Sequence, residues 1–285
     1  MEALDAGLQT KLGALRQYVR RFDGLAVAFS GGADSTLLAA VAQAELGDKA
    51  LAVTAVSPLY PEGERQEAVA LARRIGIRHT LVDSDELTLP GFAENPPNRC
   101  YLCKTGLFTA IAKLAADRGI GTVADGTNAD DRGDYRPGRR AAAEQGVVSP
   151  LLEAGLTKAD IRGLSRHLGL PTADKPALAC LASRFPYGTR ITPERLAAVE
   201  ALEAAVHDLG FRQARVRYHG DVARIEVDPD AVSRLAEPDT RRAVLNAGRR
   251  AGFLYVAADL EGYRTGSLNA ALRRSPAAGN DGLTT

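Results

Sequence analysis

The chain has 285 residues, of which 45% are hydrophobic and 25% are charged, and its formal net charge at pH 7 is +1. This composition is typical of a soluble globular protein, and the length allows one large or two modest domains. The near-neutral net charge gives no overall positive electrostatic field that would attract nucleic acid. No apolar stretch is long enough to span a bilayer, and the acidic start Met1–Asp5 is unlike a signal peptide. We therefore expect a cytoplasmic protein that binds neither a membrane nor nucleic acid.

The first part of the chain alternates between helical and strand patterns. Short apolar runs predict buried strands, and apolar residues at helical spacing predict the helices between them. The pattern predicts helices over 5–21, 34–46, 62–75 and 100–118, and strands over 25–29, 50–56, 79–82 and 122–124. This order favours an α/β fold with a doubly wound parallel sheet and functional sites at the carboxyl ends of the strands.

The pattern changes after about residue 185. Thr192 and Pro193 predict a helix N-terminus, and two alternating segments, 214–218 and 222–227, predict a hairpin. Helical segments over 230–236 and 238–250 and a strand over 253–257 complete a smaller α+β domain. The predicted organisation is a first domain over 1–185, a second over 186–270 and a disordered tail over 271–285.

Glycines and hydroxyl groups directly follow the first strand, in a segment that we call the first loop (Ser30–Thr36). Two glycines let the backbone approach an anion closely, and a helix N-terminus with nearby hydroxyls offers donors to phosphate. The sequence lacks the lysine of the kinase and GTPase phosphate loop. The predicted nucleotide-binding residues here are Ser30, Gly31, Gly32, Asp34, Ser35 and Thr36.

A second polar turn follows the strand at 122–124, and we call it the second loop (Asp125–Asp131). It lies at the same predicted edge of the sheet as the first loop, so we expect Gly126, Thr127, Asn128 and Asp131 to contact the nucleotide. Asp34 and Asp131 could hold Mg²⁺ between phosphate oxygens, because this hard cation prefers carboxylates. Arg136, in the basic run 136–140, is a further candidate phosphate contact, although such runs are also common on solvated surfaces.

The chain has three cysteines: Cys100, Cys103 and Cys180. Cys100 and Cys103 stand at a predicted helix start beside basic residues, which favours thiolate. Buried apolar thiols, a redox pair, a structural zinc site and an iron–sulfur cluster held by three thiolates all remain open. The cluster is the favoured interpretation, because three protein ligands leave one iron open to a sulfide or a substrate atom.

The predicted hairpin carries several charged residues. Alternation places Arg215 and Arg217 on one face, where both could contact a phosphate, with Glu226 on the neighbouring strand. An exposed strand face with ordinary surface charges is the alternative.

The motifs together resemble the LarE branch of the PP-loop ATP pyrophosphatase superfamily. The first loop resembles the S-G-G-x-D-S motif of the whole superfamily, and the segments Lys175–Arg184 and Asp259–Asn269 resemble that branch in particular. The resemblance implies that Mg²⁺ and ATP adenylylate a carboxylate of pyridinium-3,5-biscarboxylic acid mononucleotide. Sulfur then replaces AMP, in the biosynthesis of the nickel-pincer nucleotide.

The same resemblance implies roles for individual residues. Cys180, Asp34 and Arg184 would be catalytic, and Arg215, Arg217 and Glu226 would bind the substrate. Members with two additional cysteines bind a four-iron four-sulfur (4Fe-4S) cluster, so Cys100, Cys103 and Cys180 would be its ligands. The resemblance also suggests a homo-oligomer, such as a hexamer built as a trimer of dimers.

Two other enzyme classes share parts of this pattern. A tRNA thiolase of the same superfamily would need a basic nucleic-acid surface, for which the sequence offers no stripe of basic and aromatic residues. An ammonia-using ligase of the NAD synthetase type shares the first loop but gives the three cysteines no purpose.

Overall fold

The computed structural model describes residues 4–133, 137–176, 179–264 and 266–267. These residues form two compact units that divide between Cys180 and Leu181, so that Arg184 lies in the second unit. The predicted tail over 271–285 lies outside the described residues. In the described part of the chain, no helix combines the length and the apolar character that crossing a membrane requires.

The first unit is built on a parallel sheet. Its strands are β1 (Leu25–Ala28), β2 (Ala50–Val56), β3 (Arg78–Asp83) and β4 (Val123–Ala124), arranged in the order β3-β2-β1-β4. Its helices are α1 (Ala6–Val19), α2 (Ala33–Leu46), α3 (Glu62–Ile75), α4 (Arg99–Ala116), α5 (Pro137–Glu144), α6 (Pro150–Glu153) and α7 (Lys158–His167). The predicted doubly wound α/β architecture is confirmed.

Alternation along the strands divides the core into two layers. Leu25 and Val27 of β1 belong to one layer with residues of α1, α2 and α7, whereas Ala26 belongs to the other layer with Phe108 and Ile111 of α4. Successive side chains of a strand point to opposite faces, so a strand buried on both faces must be apolar throughout. This explains the uninterrupted apolar run at 25–29.

The register of the central strands sets the position of the two loops. β1 pairs with β2 on one side and with β4 on the other, where Val27 lies opposite Ala124. β4 itself is short, and a bridge between Ala124 and Val148 extends the sheet beyond it. Because β1 and β4 are parallel and end together, the loops that follow them emerge at the same edge.

Local sequence patterns did not predict α5, α6 and α7. The residues of α5 are mainly arginine and alanine after a proline, and its buried residues are only alanines, which give a weak apolar signal. α7 does carry a readable signal, because Thr157 and Asp160 form a capping box at its N-terminus.

The second unit contains a smaller three-stranded sheet in the order β5-β6-β7. Its elements are α8 (Pro193–Asp208), β5 (Ala214–His219), β6 (Val222–Val227), α9 (Pro238–Arg250) and β7 (Tyr255–Ala258). β5 and β6 form the predicted antiparallel hairpin, and β7 joins β6 in parallel. The segment predicted as a helix over 230–236 is a 3₁₀ helix over Pro229–Ala236.

The core of the first unit gives a stability prediction. Leu37 of α2 is fully buried against the sheet, and we expect Leu37→Ala to lower the free energy of unfolding by about 2–5 kcal/mol, because it leaves a cavity. Urea denaturation measures this change. Leu81→Ala on β3 is the control, since Leu81 is 41% exposed and its truncation should cost much less. Equal losses in the two variants would contradict the assigned core.

Candidate active site

Ser35 closes the first loop from within. Its Oγ accepts a hydrogen bond from the backbone N–H of Ser30 (3.3 Å), lies 3.3 Å from Ser30 Oγ, and donates to the carbonyl of Gly32 (3.3 Å). Gly31 has a φ of +69°, and a Cβ there would lie 3.2 Å from Ala68 Cα. The loop is therefore a tight turn that needs glycine at 31 and leads directly into α2.

Thr36 differs from the other predicted nucleotide-binding residues of this loop. Its side chain is fully buried, and Oγ1 has no hydrogen-bond partner among the described residues. Its backbone N–H donates to the carbonyl of Gly32 (2.9 Å) within the first turn of α2. The exposed hydroxyl of Ser30 is thus better placed than the buried hydroxyl of Thr36 to meet a phosphate.

The buried carboxylate of Asp125 organises the second loop. It accepts hydrogen bonds from the backbone N–H of Thr127 (3.1 Å), from Thr127 Oγ1 (2.7 Å) and from Ser149 Oγ (2.7 Å). Further along, the backbone N–H of Asn128 donates to Asp131 Oδ2 (3.0 Å). Asp131 is itself buried, so one of its roles is to hold the backbone of this loop.

The two loops touch each other at Gly126. A Cβ at this position would lie 3.2 Å from Asp34 Cβ and 3.2 Å from the backbone nitrogen of Ser35. In addition, Asn128 Nδ2 donates to Asp34 Oδ1 (3.3 Å). The structure therefore brings together the residues that the sequence predicted from two separate motifs, with the Asp34 carboxylate between them.

Two lysines also reach the first loop, and the sequence analysis assigned neither of them to the site. Lys158 Nζ lies 2.5 Å from Asp34 Oδ2. Lys175 Nζ donates to the carbonyl of Gly31 (3.0 Å) and pairs with Glu67 (2.7 Å). They bring to the loop the positive charge that its own sequence lacks. Arg136, the predicted arginine contact, lies outside the described residues.

A second group of residues surrounds Cys103 in the same unit. Cys103 is buried near the start of α4, and its thiol points at Glu86 Oε1 (3.8 Å). Burial raises the pKa of Cys103 far above the usual range, and negative charge on Glu86, Cys180 and Cys100 raises it further. The three cysteines are thus close enough to influence one another electrostatically.

Glu86 and Tyr60 complete this cysteine group. Glu86 is only 1% exposed, and its carboxylate accepts hydrogen bonds from Ser57 Oγ (2.5 Å) and Ser84 Oγ (2.8 Å). Burial raises the pKa of Tyr60, and charge on Cys103, Cys180, Glu86 and Cys100 acts in the same direction. Ser57 and Ser84 directly follow β2 and β3, so this group also lies at the carboxyl edge of the sheet.

The cysteine group offers the donors that an iron–sulfur cluster uses, since such clusters are held by thiolates. Over the residues that the structure describes, however, no three His, Cys, Asp or Glu side chains form a group that could hold a metal ion as they stand. The three thiols and their shared location fit a cluster. To bind iron, the three side chains would have to move closer together.

The second unit contains a buried arrangement of arginines and carboxylates. Arg184 donates to both carboxylate oxygens of Glu203, with Nε 3.0 Å from Oε2 and Nη2 bonded to Oε1. Glu203 Oε2 also accepts from the backbone N–H of Val216 (3.0 Å), and Arg215 Nη1 lies 3.8 Å from Oε1. Burial alone would raise the pKa of Glu203, but the hydrogen bond and charge of Arg184, with Arg215 and Val216, lower it overall.

Arg217 lies beside this arrangement and makes a pair of its own. Its Nη2 is 2.6 Å from Glu226 Oε2, and its Nη1 donates to the carbonyl of Ser183 (2.9 Å). Arg224 bonds to Glu226 and to Asp259. Arg215 and Arg217 are both buried, so an exposed face of ordinary surface charges was the wrong alternative.

Glu203 gives a second testable prediction. We expect Glu203→Gln to lower the free energy of unfolding at pH 7 by about 3–5 kcal/mol, because two buried arginines lose their anionic partner. Because the pKa of Glu203 is lowered in the folded protein, its ionised carboxylate stabilises the fold. This stabilisation is fully present at pH values above the ordinary pKa of 4.5, and it is lost as the pH falls through the lower folded-state pKa.

Urea denaturation at pH 7 and at several values below pH 4.5 measures this dependence. The difference in the free energy of unfolding between wild type and Glu203→Gln should become smaller as the pH falls. Glu237→Gln, at an exposed position of the same unit, is the matched control and should leave the unfolding energy nearly unchanged. A difference that stays constant with pH would contradict the proposed ionisation of Glu203.

Comparison with known proteins identifies the family of this chain. Residues 8–94, which include the first loop, match the NAD synthase family. The chain is 46% identical over 94% of its length to an uncharacterized protein of Synechocystis sp., all of which it covers. It is also 32% identical to a tRNA-specific 2-thiouridylase of Azorhizobium caulinodans, but only over 53% of this chain and 48% of that protein.

Another relative matches this chain over nearly the full length of both proteins. The chain is 37% identical, over 96% of its own length and 99% of the relative, to the pyridinium-3,5-bisthiocarboxylic acid mononucleotide synthase of Lactiplantibacillus plantarum. Because this match extends through both units, whereas the thiouridylase match covers about half of the chain, this chain belongs to the LarE family of PP-loop enzymes, which use ATP to transfer sulfur.

Proposed function

We propose that this enzyme converts pyridinium-3,5-biscarboxylic acid mononucleotide into its bisthiocarboxylic form, in the biosynthesis of the nickel-pincer nucleotide. The observation that carries the proposal is the near-complete match to the synthase named for that product. The contact between the first and second loops at Gly126 supports it, because it gives the first unit a site for ATP.

The first chemical step is adenylylation. A carboxylate oxygen of the substrate attacks the α-phosphorus of ATP, the bond from that phosphorus to the bridging oxygen breaks, and pyrophosphate leaves. Ser30 and the N-terminal amides of α2 would offer donors to the phosphates. Asp34 is a hard oxygen ligand that remains partly exposed and would hold Mg²⁺, which offsets charge on the departing pyrophosphate.

The second step replaces the activated oxygen by sulfur. A sulfide attacks the acyl carbon of the adenylate, and AMP leaves with the former carboxylate oxygen. Expulsion of AMP is feasible where expulsion of oxide is not, since the phosphate is a far better leaving group. Two rounds of these steps give the bisthiocarboxylic product.

The cysteine group would position the sulfide for this step. Cys100, Cys103 and Cys180 would hold a 4Fe-4S cluster, and their mutual influence on the pKa of Cys103 and Tyr60 supports a shared site. When bound by three thiolates, such a cluster supplies one iron at which an exogenous sulfide can reside. Cys180 is the thiol whose segment most resembles the family.

The buried arginines of the second unit would bind the anionic substrate. In its described part, four guanidinium groups (Arg184, Arg215, Arg217 and Arg224) face three carboxylates (Glu203, Glu226 and Asp259). Arginine is the side chain best suited to recognise phosphate and carboxylate groups. Arg215 and Arg217 would contact the phosphate of the mononucleotide, and Glu226 would fix the position of Arg217.

The function is tested by incubating anaerobically purified enzyme with the biscarboxylic mononucleotide, ATP, Mg²⁺ and sulfide, followed by mass spectrometry. We expect the thiocarboxylate product. An amide formed only when ammonia replaces sulfide would instead favour a ligase of the NAD synthetase type. Tight, salt-sensitive binding of tRNA in a gel-shift titration would favour a tRNA thiolase.

Asp34 gives the third prediction. We expect Asp34→Asn to reduce substrate-dependent pyrophosphate release by about 100-fold or more, because a neutral amide is a poor ligand for Mg²⁺. Asp48→Asn, at an exposed position after α2, is the control and should release pyrophosphate at the wild-type rate. A normal rate in Asp34→Asn would place the metal site elsewhere.

The cysteines give the fourth prediction. Anaerobic preparations should be brown and contain iron and acid-labile sulfide, and Cys180→Ala should release pyrophosphate but form no thiocarboxylate. The Cys100→Ala/Cys103→Ala variant should lose the iron and complete at most one turnover. Thr109→Ala, exposed on α4, should keep the full iron content. Colourless protein with stoichiometric zinc would refute the cluster.

A further inference from the structure

Lys158 makes a contact that adenylylation does not explain. Its ammonium group lies 2.5 Å from Asp34 Oδ2, the oxygen of the carboxylate that would hold Mg²⁺. The other oxygen, Oδ1, accepts a hydrogen bond from Asn128 (3.3 Å). In this structure, a cation from the chain itself therefore neutralises the carboxylate.

The backbone of Lys158 is firmly held. Lys158 is the first residue of α7, and its N–H donates to Asp130 Oδ2 (2.8 Å) in the second loop. The capping box of Thr157 and Asp160 fixes the same helix N-terminus, and the backbone N–H of Ala129 donates to the carbonyl of Leu156 (2.8 Å). Only the side chain of Lys158 is free to change partners.

Two cations compete for one oxygen at this position. Mg²⁺ binds carboxylate oxygens at about 2.0–2.1 Å and demands nearly octahedral geometry, so it needs the lone pairs that Nζ now occupies. The ion pair between Lys158 and Asp34 is partly exposed, with side-chain accessibilities of 33% and 26%, and such pairs are easily exchanged. The long flexible stem of lysine lets Nζ move while the helix stays in place.

We infer that Lys158 is a displaceable counter-ion of Asp34, which moves onto the β- or γ-phosphate of ATP when Mg²⁺ takes its place. The inference rests on the proposed function, because it takes Mg²⁺–ATP as the ligand of the two loops. In the free enzyme Lys158 keeps the Asp34 carboxylate neutralised and oriented. In the complex it becomes a ligand of the departing pyrophosphate.

Binding of α,β-methylene-ATP, which cannot be cleaved between the α- and β-phosphates, tests this inference by calorimetry. We expect Lys158→Gln to weaken binding about 10-fold or more in saturating Mg²⁺, because a charge-assisted hydrogen bond to phosphate is lost. In EDTA, where Lys158 stays on Asp34, the same substitution should change the affinity less than 2-fold. Lys158→Arg should recover most of the loss, and AMP should bind both proteins equally.

The control is Lys11→Gln. Lys11 pairs with Asp160 of the same helix at the same 2.5 Å, but it does not contact either loop in the described structure. The Lys11→Gln variant should bind α,β-methylene-ATP as tightly as wild type, both in Mg²⁺ and in EDTA. An equal loss for Lys158→Gln with and without Mg²⁺, or no loss at all, would overturn the inference. Failure of wild-type protein to bind the analogue would instead refute the proposed ATP site.

Discussion

The parallel pairing of β1 between β2 and β4 is the constraint on which the rest of the first unit depends. It makes four strands end at one edge, where the loops after β1 and β4 meet at Gly126 and the segments after β2 and β3 carry Tyr60 and Glu86. A parallel sheet cannot supply this convergence without helices on both faces, and the two core layers provide them.

At the candidate sites of both units, a carboxylate is shared between more than one partner. Asp34 is held by Asn128 and Lys158, and Glu203 is shared between Arg184 and Arg215. Buried or half-buried charges without partners would be costly, so a site for anions must carry its own counter-charges when it is empty. Under the proposed function, a substrate phosphate or a metal ion would exchange with a group already in place.

In the cysteine group, the buried carboxylate also has partners, but here they are hydroxyl groups rather than cations. A buried carboxylate, Glu86, stays beside Cys103 because two serine hydroxyls satisfy its oxygens, and this negative charge opposes ionisation of the thiol. This environment therefore favours the neutral thiol of Cys103. Ligation by iron would have to overcome this preference, which ties cluster assembly to a rearrangement of the side chains.

The sequence by itself determined the strands, the helices other than α5, α6 and α7, the first and second loops and the alternation that places Arg215 with Arg217, because these features depend on local spacing. Only the tertiary structure decided that Lys158, Lys175, Tyr60 and Glu86 belong to these sites, because their partners lie far away in the chain. It also decided that the hairpin arginines are buried, since the carboxylate that faces Arg215 comes from α8. A single lysine or glutamate carries no local pattern, so its role is fixed by what the fold places opposite it.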